Sequence, residues 1–336
     1  MPGTTFPPVH LWIFNHPFHG ISDQVDFFVS AYTQHGYPVS VGRQPRPNAL
    51  NVVIENFSAD SKATLTQFCK AHRKRVAVIM TEHLDFEDDR ILIHGAPLWS
   101  DNDYMHPATQ LERIKNLIDC LPYLRGFLVL GDLPELRNMT KMLPGIDIRT
   151  IPFPGLEPIT AETAPGDRPG PNDLLFTGFM TDYRRNVLAN LYSGGFNVEC
   201  PRRFVSRRRR DMLTRSVKLA LNIPQREDWR WLSLMRIIAA LRSGRATVSL
   251  GTLDTSRIAS SCIQIDLADN QWQDNLRALV EDWRGLNDRC AAAYATMCNE
   301  FEREFPFPHD AMEFWAITDR ISCKSISYLL SGISVD

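Results

Sequence analysis

Arginine side chains occupy two positions in the second half of the chain where a guanidinium group needs an anionic partner. Arg184 and Arg185 lie at the start of a predicted helix, where positive charge opposes the helix dipole. Arg236 lies in the mostly apolar helix WLSLMRIIAAL, and a guanidinium buried there has to be paired with an anion. The alternative is that Arg236 lies on a narrow solvent-exposed stripe of that helix and is not buried. Each anion is either a protein carboxylate or a ligand phosphate, and these residues alone favour neither.

Small and polar residues end the apolar runs that surround these arginines. Gly178 closes the run LLFTG, where a missing side chain lets a ligand approach the backbone and the next helix offers N–H groups. A tight turn is the simpler interpretation. Asn222 ends the run KLALN. This arrangement suits a phosphate-bearing ligand at the carboxyl ends of parallel strands.

Histidines and glutamates follow the predicted strands of the first half, where they would face a cleft. His16 and His19 titrate near neutral pH and could act as general bases, although each could also only bond a loop carbonyl. Glu82 is the preferred candidate for deprotonating an acceptor hydroxyl, and Glu55 is its rival. Either carboxylate could instead cap a helix or pair with a basic residue. The acceptor-side set is completed by Asn15 and His83.

Alternating apolar runs and helix-like stretches, typical of parallel sheets with crossover helices, occur twice along the chain. Residues 1–153 are predicted to form one such domain and residues 173–308 a second, joined by the Pro- and Gly-rich linker 154–172. The first domain is expected to contain helices over residues 22–35, with Ser22 as N-cap, 103–121 and 132–143. Helices are also expected over residues 271–304 and 310–330.

The composition is that of an ordinary soluble enzyme. The chain has 336 residues, 44% hydrophobic and 23% charged, with a formal net charge of −2. This balance argues against a nucleic-acid-binding protein. No apolar run is long enough to span a bilayer, and no basic region precedes the first one, so no signal peptide is expected. The odd number of cysteines favours a reducing cytoplasm. The seven cysteines include no CxxC pair, and most are expected to pack as small buried side chains.

A run of arginines is the most conspicuous charge cluster. Six of the nine residues from Arg202 to Arg210 are arginine. The cluster could bind nucleic acid or an anionic membrane, or it could be a solvated helix face. The balanced net charge favours the solvated face. Peripheral contact with a membrane that carries an acceptor lipid is the alternative that stays open. Such contact would place the protein at the inner face of that membrane.

The segment from about residue 174 to residue 250 resembles the donor-nucleotide half of bacterial glycosyltransferases of the GT-B fold. Those enzymes carry a Gly-x-x-x-x-x-Arg-Arg pattern, which Gly178 and Arg184-Arg185 match. They also carry an Asn, an Arg and a Ser at the positions of Asn222, Arg236 and Ser249. One departure is Ser233, where relatives often place a Glu that meets a ribose hydroxyl. This chain therefore lacks the carboxylate that contacts the ribose in those relatives.

The resemblance implies an α/β protein of two Rossmann-like domains with a C-terminal helical tail, residues 309–336, that crosses back to the first domain. It implies transfer of a sugar from a nucleotide-sugar donor to a hydroxyl or amine of a glycan, lipid-linked or protein acceptor, as in polysaccharide biosynthesis. Neither a metal nor a cofactor beyond the nucleotide-sugar is expected. The residues implied in donor binding are Gly178, Tyr183, Arg184, Arg185, Asn222, Ser233, Arg236 and Ser249.

Other functions are weighed against this one. A non-catalytic sugar-nucleotide or glycan-binding protein of the same fold is one alternative, and a sugar-nucleotide epimerase or hydrolase is another. The motifs GxGxxG, GxxxxGK[ST], HExxH and GxSxG are absent. Asp101-Asn102-Asp103 resembles the metal-binding pair of the other glycosyltransferase fold, but N-capping of a helix at Asp103 is the preferred interpretation.

Overall fold

Two parallel β-sheets, each covered by helices, form the frame of the chain in the computed structural model. Their central strands are buried, as expected for parallel sheets with helices on both faces, and the strands at the sheet edges are partly exposed. The structure describes residues 6–16, 18–55, 57–81, 84–87, 90–93, 96–97, 106–132, 145–156, 169–227, 229 and 231–319.

The first sheet has six parallel strands in the order β2-β1-β3-β4-β8-β9. A separate antiparallel sheet, β5-β6-β7, lies between β4 and β8 in sequence and was not predicted. The strands are β1 (Val9–Trp12), β2 (Val39–Gly42), β3 (Leu50–Ile54), β4 (Val76–Met80), β5 (Leu84–Glu87), β6 (Arg90–Ile93), β7 (Ala96–Pro97), β8 (Leu124–Leu130) and β9 (Asp147–Ile151), and the helices are α1 (Phe18–Gln34), α2 (Ala59–His72) and α3 (Pro107–Cys120).

The second sheet has five parallel strands in the order β11-β10-β12-β13-β14. The strands are β10 (Leu174–Phe176), β11 (Val198–Glu199), β12 (Leu219–Asn222), β13 (Thr247–Leu250) and β14 (Ile263–Ile265). The helices are α4 (Asp182–Ser193), α5 (Arg207–Arg215), α6 (Leu234–Arg242), α7 (Trp272–Glu281) and α8 (Trp283–Glu304). Two doubly wound α/β units of this kind are the fold class that the sequence predicts.

The helix boundaries correct the sequence analysis in three places. Helix α1 begins at Phe18, so the predicted N-cap Ser22 lies buried inside it. Helix α3 begins at Pro107, with the His106 side chain accepting a hydrogen bond from the backbone N–H of Ala108, so N-capping at Asp103 is wrong. A proline at the first position pre-sets the helical φ angle, which explains this start. The predicted helix over residues 271–304 is two helices that meet at Asp282.

A single apolar core cluster includes residues of both domains. Phe153, which follows β9, packs edge to face against Tyr294 and Phe301 of α8, with ring centroids 6.2 and 5.0 Å away. The Tyr294 hydroxyl donates a hydrogen bond to the Pro154 carbonyl at 2.8 Å. The contact between the domains is therefore built like a protein interior.

After α8 the chain returns to the first domain. The segment Phe305-Pro306-Phe307-Pro308 separates α8 from a helix, α9, that the structure describes over residues 309–319. Met312 accepts a long hydrogen bond from the buried Tyr32 hydroxyl of α1, and Asp319 pairs with Lys74 at 3.6 Å. This is the crossing-back that the resemblance implies.

Among the residues that the structure describes, no helix is both long enough and apolar enough to cross a membrane. The six described cysteines are free, and all except Cys200 are buried. Burial in apolar surroundings raises their pKa values, as at Cys262, where the pKa is about 12. The prediction that most cysteines pack as small apolar side chains is confirmed for the described part of the chain.

Candidate active site

The turn after β10 brings two guanidinium groups against one glycine. Gly178 has a φ angle of +155°, which side chains rarely allow. A Cβ atom at Gly178 would lie 3.1 Å from Arg236 Nη2 and 3.4 Å from Arg184 Nη1. Glycine is therefore required here by the close approach of the two arginines as well as by the backbone conformation.

Arg184 holds two loops together through backbone carbonyl groups. Its Nε and Nη2 atoms donate hydrogen bonds to the Ile223 carbonyl at 2.9 and 2.7 Å, and Nη1 donates to the Phe179 carbonyl at 2.6 Å. Thr181 caps α4 by accepting a hydrogen bond from the Arg184 backbone N–H. The side chain thus joins the turn after β10 to the loop after β12, and all of these partners are uncharged.

Arg236 is held by a chain of two buried polar side chains. Its Nη1 donates to Asn222 Oδ1 at 3.0 Å, and Asn222 Nδ2 donates to Ser249 Oγ at 2.9 Å. Asn222 and Ser249 lie in the neighbouring strands β12 and β13 and are fully buried. Asn222, Arg236 and Ser249, which are three of the residues that carry the sequence resemblance, therefore form one connected network.

The two guanidinium groups have little electrostatic compensation. Burial, and to a smaller extent the charge of Arg236, lower the pKa of Arg184 to about 9. Burial lowers the pKa of Arg236 to about 10, Arg210 adds to this effect and Asp23 opposes it. Both remain protonated at neutral pH. In the part of the chain that the structure describes, neither one forms an ion pair with a carboxylate, which makes their surroundings attractive to an external anion.

A cavity of about 730 Å³ opens beside this pair and draws its walls from both domains. Gly178, Ser233 and Arg236 line it from the second domain, and Gly20 and Asp23 of α1 line it from the first. This volume lies within the range of small-molecule sites in proteins. Ser233, at the start of α6, makes no capping hydrogen bond with its side chain.

Two predicted donor residues lie away from the cavity. Arg185 is exposed and pairs with Asp182 in the first turn of α4. Tyr183 is half-buried with its hydroxyl against Gly251, and burial together with Glu227 and Asp266 raises its pKa. The structure thus brings together six of the eight predicted donor residues and separates these two from them.

The first domain presents its candidates at the carboxyl ends of β1 and β3. Glu55 is buried with its Oε1 atom 2.7 Å from Nε of the buried Arg113, a contact that ties the carboxylate to a structural ion pair. Burial lowers the pKa of His16, and the charges of Arg113 and Arg43 lower it further, so its imidazole is neutral at pH 7. Asn15 is exposed.

The remaining first-domain candidates receive no side-chain description. Glu82 and His83 lie outside the described residues, as do Asp101-Asn102-Asp103 and, apart from Asp132, the predicted helix over residues 132–143. His19 lies in the first turn of α1, and the position of its side chain is also outside the description. The roles assigned to Glu82, His83 and His19 stay predictions.

Ion pairs between the domains lie at the edge of the cavity and were missed by the sequence analysis. Arg210 of α5 makes a two-pronged pair with Asp23 of α1 at 2.5 and 2.7 Å, and Arg207 makes a similar pair with Asp26 at 2.5 and 2.6 Å. Arg242 of α6 also contacts Asp26. The sequence does contain a pattern that indicates these pairs. Asp23 and Asp26 are three residues apart, as are Arg207 and Arg210, so each pair of like charges lies on one face of its helix.

Comparisons with known proteins give structural similarities alone. No family model and no curated protein matches the chain. The solved T4 phage BGT in complex with UDP-glucose is 10% identical over 89% of this chain and 100% of its own, with a TM-score of 0.47. TarM is 12% identical over 81% of this chain, which spans 55% of TarM, with a TM-score of 0.43. Spinosyn rhamnosyltransferase SpnG complexed with thymidine diphosphate is 11% identical over 91% of this chain and 99% of its own, with a TM-score of 0.40.

These TM-scores are below 0.5, so the assignment of the architecture rests on the strand order. Two Rossmann-like parallel sheets with a C-terminal helix that returns to the first domain form a two-domain α/β arrangement of the GT-B type. The function has to be inferred from the site between the domains.

Proposed function

We propose that this protein is a GT-B glycosyltransferase that moves a sugar from a nucleotide-sugar donor to an acceptor hydroxyl or amine. The observation that carries the proposal is the pair Arg184 and Arg236, which converge on Gly178 beside the interdomain cavity without a carboxylate partner among the described residues. A diphosphate offers the matching charge, and guanidinium groups bind phosphate oxygens with well-directed hydrogen bonds.

The arginines would act on the leaving group. Negative charge develops on the nucleoside diphosphate as the bond to the sugar breaks, and fixed positive groups stabilise that charge most where water is excluded. Arg236 is held in place by Asn222 and Ser249, so little reorganisation is needed when the charge appears. In this scheme the arginines replace a metal ion, and the nucleotide-sugar is the sole co-substrate.

The base would come from the first domain. Burial and two nearby arginines keep the imidazole of His16 neutral. His16 lies two residues before the helix that contributes Gly20 and Asp23 to the cavity. A neutral imidazole accepts a proton from an acceptor hydroxyl at pH 7. Among the described candidates His16 is therefore the base that we propose, ahead of Glu55, whose carboxylate is engaged with Arg113. Glu82 and His19 stay the competing assignments.

Calorimetric titration with uridine, guanosine and thymidine diphosphates in the presence of a chelator tests the proposal directly. We expect binding of at least one diphosphate, and much weaker binding of the matching nucleoside, because the arginines recognise the phosphates. Loss of all binding on chelation, restored by Mg²⁺ or Mn²⁺, would reject the metal-free scheme. Failure of every diphosphate to bind would reject the assignment of the anion site.

Turnover of the donor separates the transferase from its alternatives. A glycosyltransferase releases nucleoside diphosphate faster when the acceptor is added, whereas a hydrolase releases it without one and a binding protein does not release it. Supplying the tightest-binding nucleotide-sugar with mixed glycan, lipid-linked and peptide acceptors would therefore decide among the three.

A further inference from the structure

We propose that the second domain docks on an anionic lipid surface through a basic–aromatic patch, formed by Arg202, Arg203, Phe204, Arg208, Arg209 and Met212. The patch consists of the loop before α5 and the outward face of that helix. It goes beyond the anion site, because it lies on the surface and would bind a lipid surface and not a soluble nucleotide.

Helix α5 divides its arginines between two faces. Arg207 and Arg210 turn towards the first domain and pair with Asp26 and Asp23. Arg208 and Arg209 are exposed and take part in no ion pair within the described residues. Two of the six arginines in the cluster are therefore used inside the protein, and four remain on the patch.

The position of these charges favours an external anion. The first turn of α5 contains no acidic residue, and Ser206 caps the helix by accepting a hydrogen bond from the Arg209 backbone N–H. Positive side chains at a helix N-terminus oppose the helix dipole. Negatively charged headgroups placed against Arg208 and Arg209 would offset this repulsion, at about 1 kcal/mol for each arginine near a membrane surface.

Apolar side chains distinguish a lipid surface from a nucleic acid. Phe204 is 73% exposed and Met212 is 50% exposed, and both lie among the outward arginines. Large apolar groups flanked by cations fit the boundary between headgroups and acyl chains. The net charge of −2 leaves no wider basic field along which a nucleic-acid backbone could lie.

The patch continues into the cavity between the domains. Arg202, Arg203 and Phe204 also line that cavity, so a docked membrane would lie at its mouth. This step rests on the proposed function: the acceptor would then be a lipid-linked molecule presented by the membrane. Of the glycan, lipid-linked and protein acceptors that the sequence leaves open, the docking favours the lipid-linked one.

Flotation with vesicles of phosphatidylcholine, with and without phosphatidylglycerol, tests the docking without using activity. We expect the protein to float with the anionic vesicles alone, and to lose binding as salt is raised. Arg208→Gln should weaken binding about fivefold, the conversion of about 1 kcal/mol. Phe204→Ala should weaken it about tenfold or more through lost apolar burial.

Arg207→Gln is the matched control, because it removes the same charge from the same turn but from the face that pairs with Asp26. We expect it to weaken vesicle binding less than Arg208→Gln. Equal losses would show a diffuse charge effect and overturn the patch, as would the absence of any preference for anionic vesicles. Tight binding of DNA or RNA by a protein that does not float would overturn it in favour of a nucleic-acid surface.

Nucleotide titration of the same preparations separates the two proposals. If nucleoside diphosphate binds and vesicles do not, the docking proposal fails while the function stands. If vesicles bind and no diphosphate does, the docking stands and the lipid-linked acceptor fails together with the proposed function. The melting temperature of each variant confirms that it is folded.

Discussion

At the residue scale, two arginines that face one glycine have different tasks. Arg184 is almost fully buried and gives its hydrogen bonds to two backbone carbonyl groups. Arg236 is half-buried, lines the cavity and has one hydrogen bond to Asn222. Arg184 therefore shapes the turn on which the anion would lie, and Arg236 has donor atoms left to contact it.

Arg236→Gln should weaken nucleoside diphosphate binding by roughly 1.5–3 kcal/mol, the range for hydrogen bonds to charged groups. The free energy of unfolding without ligand should change little, because a poorly compensated charge is removed. Calorimetric titration and urea unfolding measure the two quantities. Arg185→Gln is the matched control, since that arginine is exposed and paired with Asp182, and it should leave binding near wild type. The opposite ranking would place the anion at Arg185.

Removing Arg43 should shift the acidic side of the pH–rate profile if His16 is the base. Burial and the charges of Arg113 and Arg43 hold the pKa of His16 below its usual value, so activity should persist to lower pH than an ordinary histidine allows. Arg43→Met removes one of the charges that disfavour the imidazolium, so the pKa should rise and the acidic limb of kcat/KM should move towards neutral pH. Movement in the opposite direction, or none, would exclude His16.

How well sequence predicts the site depends on how far apart its parts lie in the chain. Gly178, Asn222 and Arg236 were found because each ends a strand or interrupts an apolar helix, which is a local pattern, whereas Ser249 was found through the family resemblance. The partner of Glu55 is Arg113, fifty-eight residues further on, and no local pattern shows that the two meet. Glu55 was accordingly considered as a base, although its carboxylate is held in an ion pair.

At the element scale, α1 and α5 match each other in spacing. Asp23 and Asp26 are three residues apart on one helix, and Arg207 and Arg210 are three apart on the other, so both pairs form together. The alternation of strands and helices in each domain follows from apolar runs within the sequence. The pairing of α1 with α5 depends on a fold that brings distant faces together, and hydrophobic periodicity carries no information about that contact.

Asp26→Asn should lower the free energy of unfolding by about 1–2 kcal/mol, because Asp26 pairs with both Arg207 and Arg242 in a partly buried place. The loss should shrink at high salt as screening weakens the pairs in the wild type. Asp274→Asn is a suitable control, since its pair with Arg277 is exposed and should contribute less than about 0.5 kcal/mol. Equal losses in urea unfolding would show that the interdomain pairs do not hold the domains together.

At the scale of the whole molecule, the two domains share one apolar core. The sequence predicts two α/β units because the strand–helix alternation restarts at residue 173, and it predicts a linker from its prolines and glycines. It does not show that Phe153 of the first domain packs against Tyr294 and Phe301 of α8. Aromatic contacts of this kind lie over a hundred residues apart, so they follow from the fold and not from a local pattern.

The shared core predicts that the domains unfold as one unit. Breaking the interface would expose the rings of Phe153 and Phe301 and leave Asp23 and Asp26 without their arginines, so a state with one domain folded is costly. Scanning calorimetry should show a single unfolding transition. A bound nucleoside diphosphate should raise the melting temperature of the whole transition, because ligand binding stabilises the cooperative unit that contains the site. Phe153→Ala removes the ring that contacts α8, and we expect it to separate the scan into two transitions or to lower the single one by several degrees. The opposite result would be two transitions in the wild type, with the nucleotide shifting only one of them. It would show that the second domain folds and binds by itself and that the interface does not couple the unfolding of the two domains.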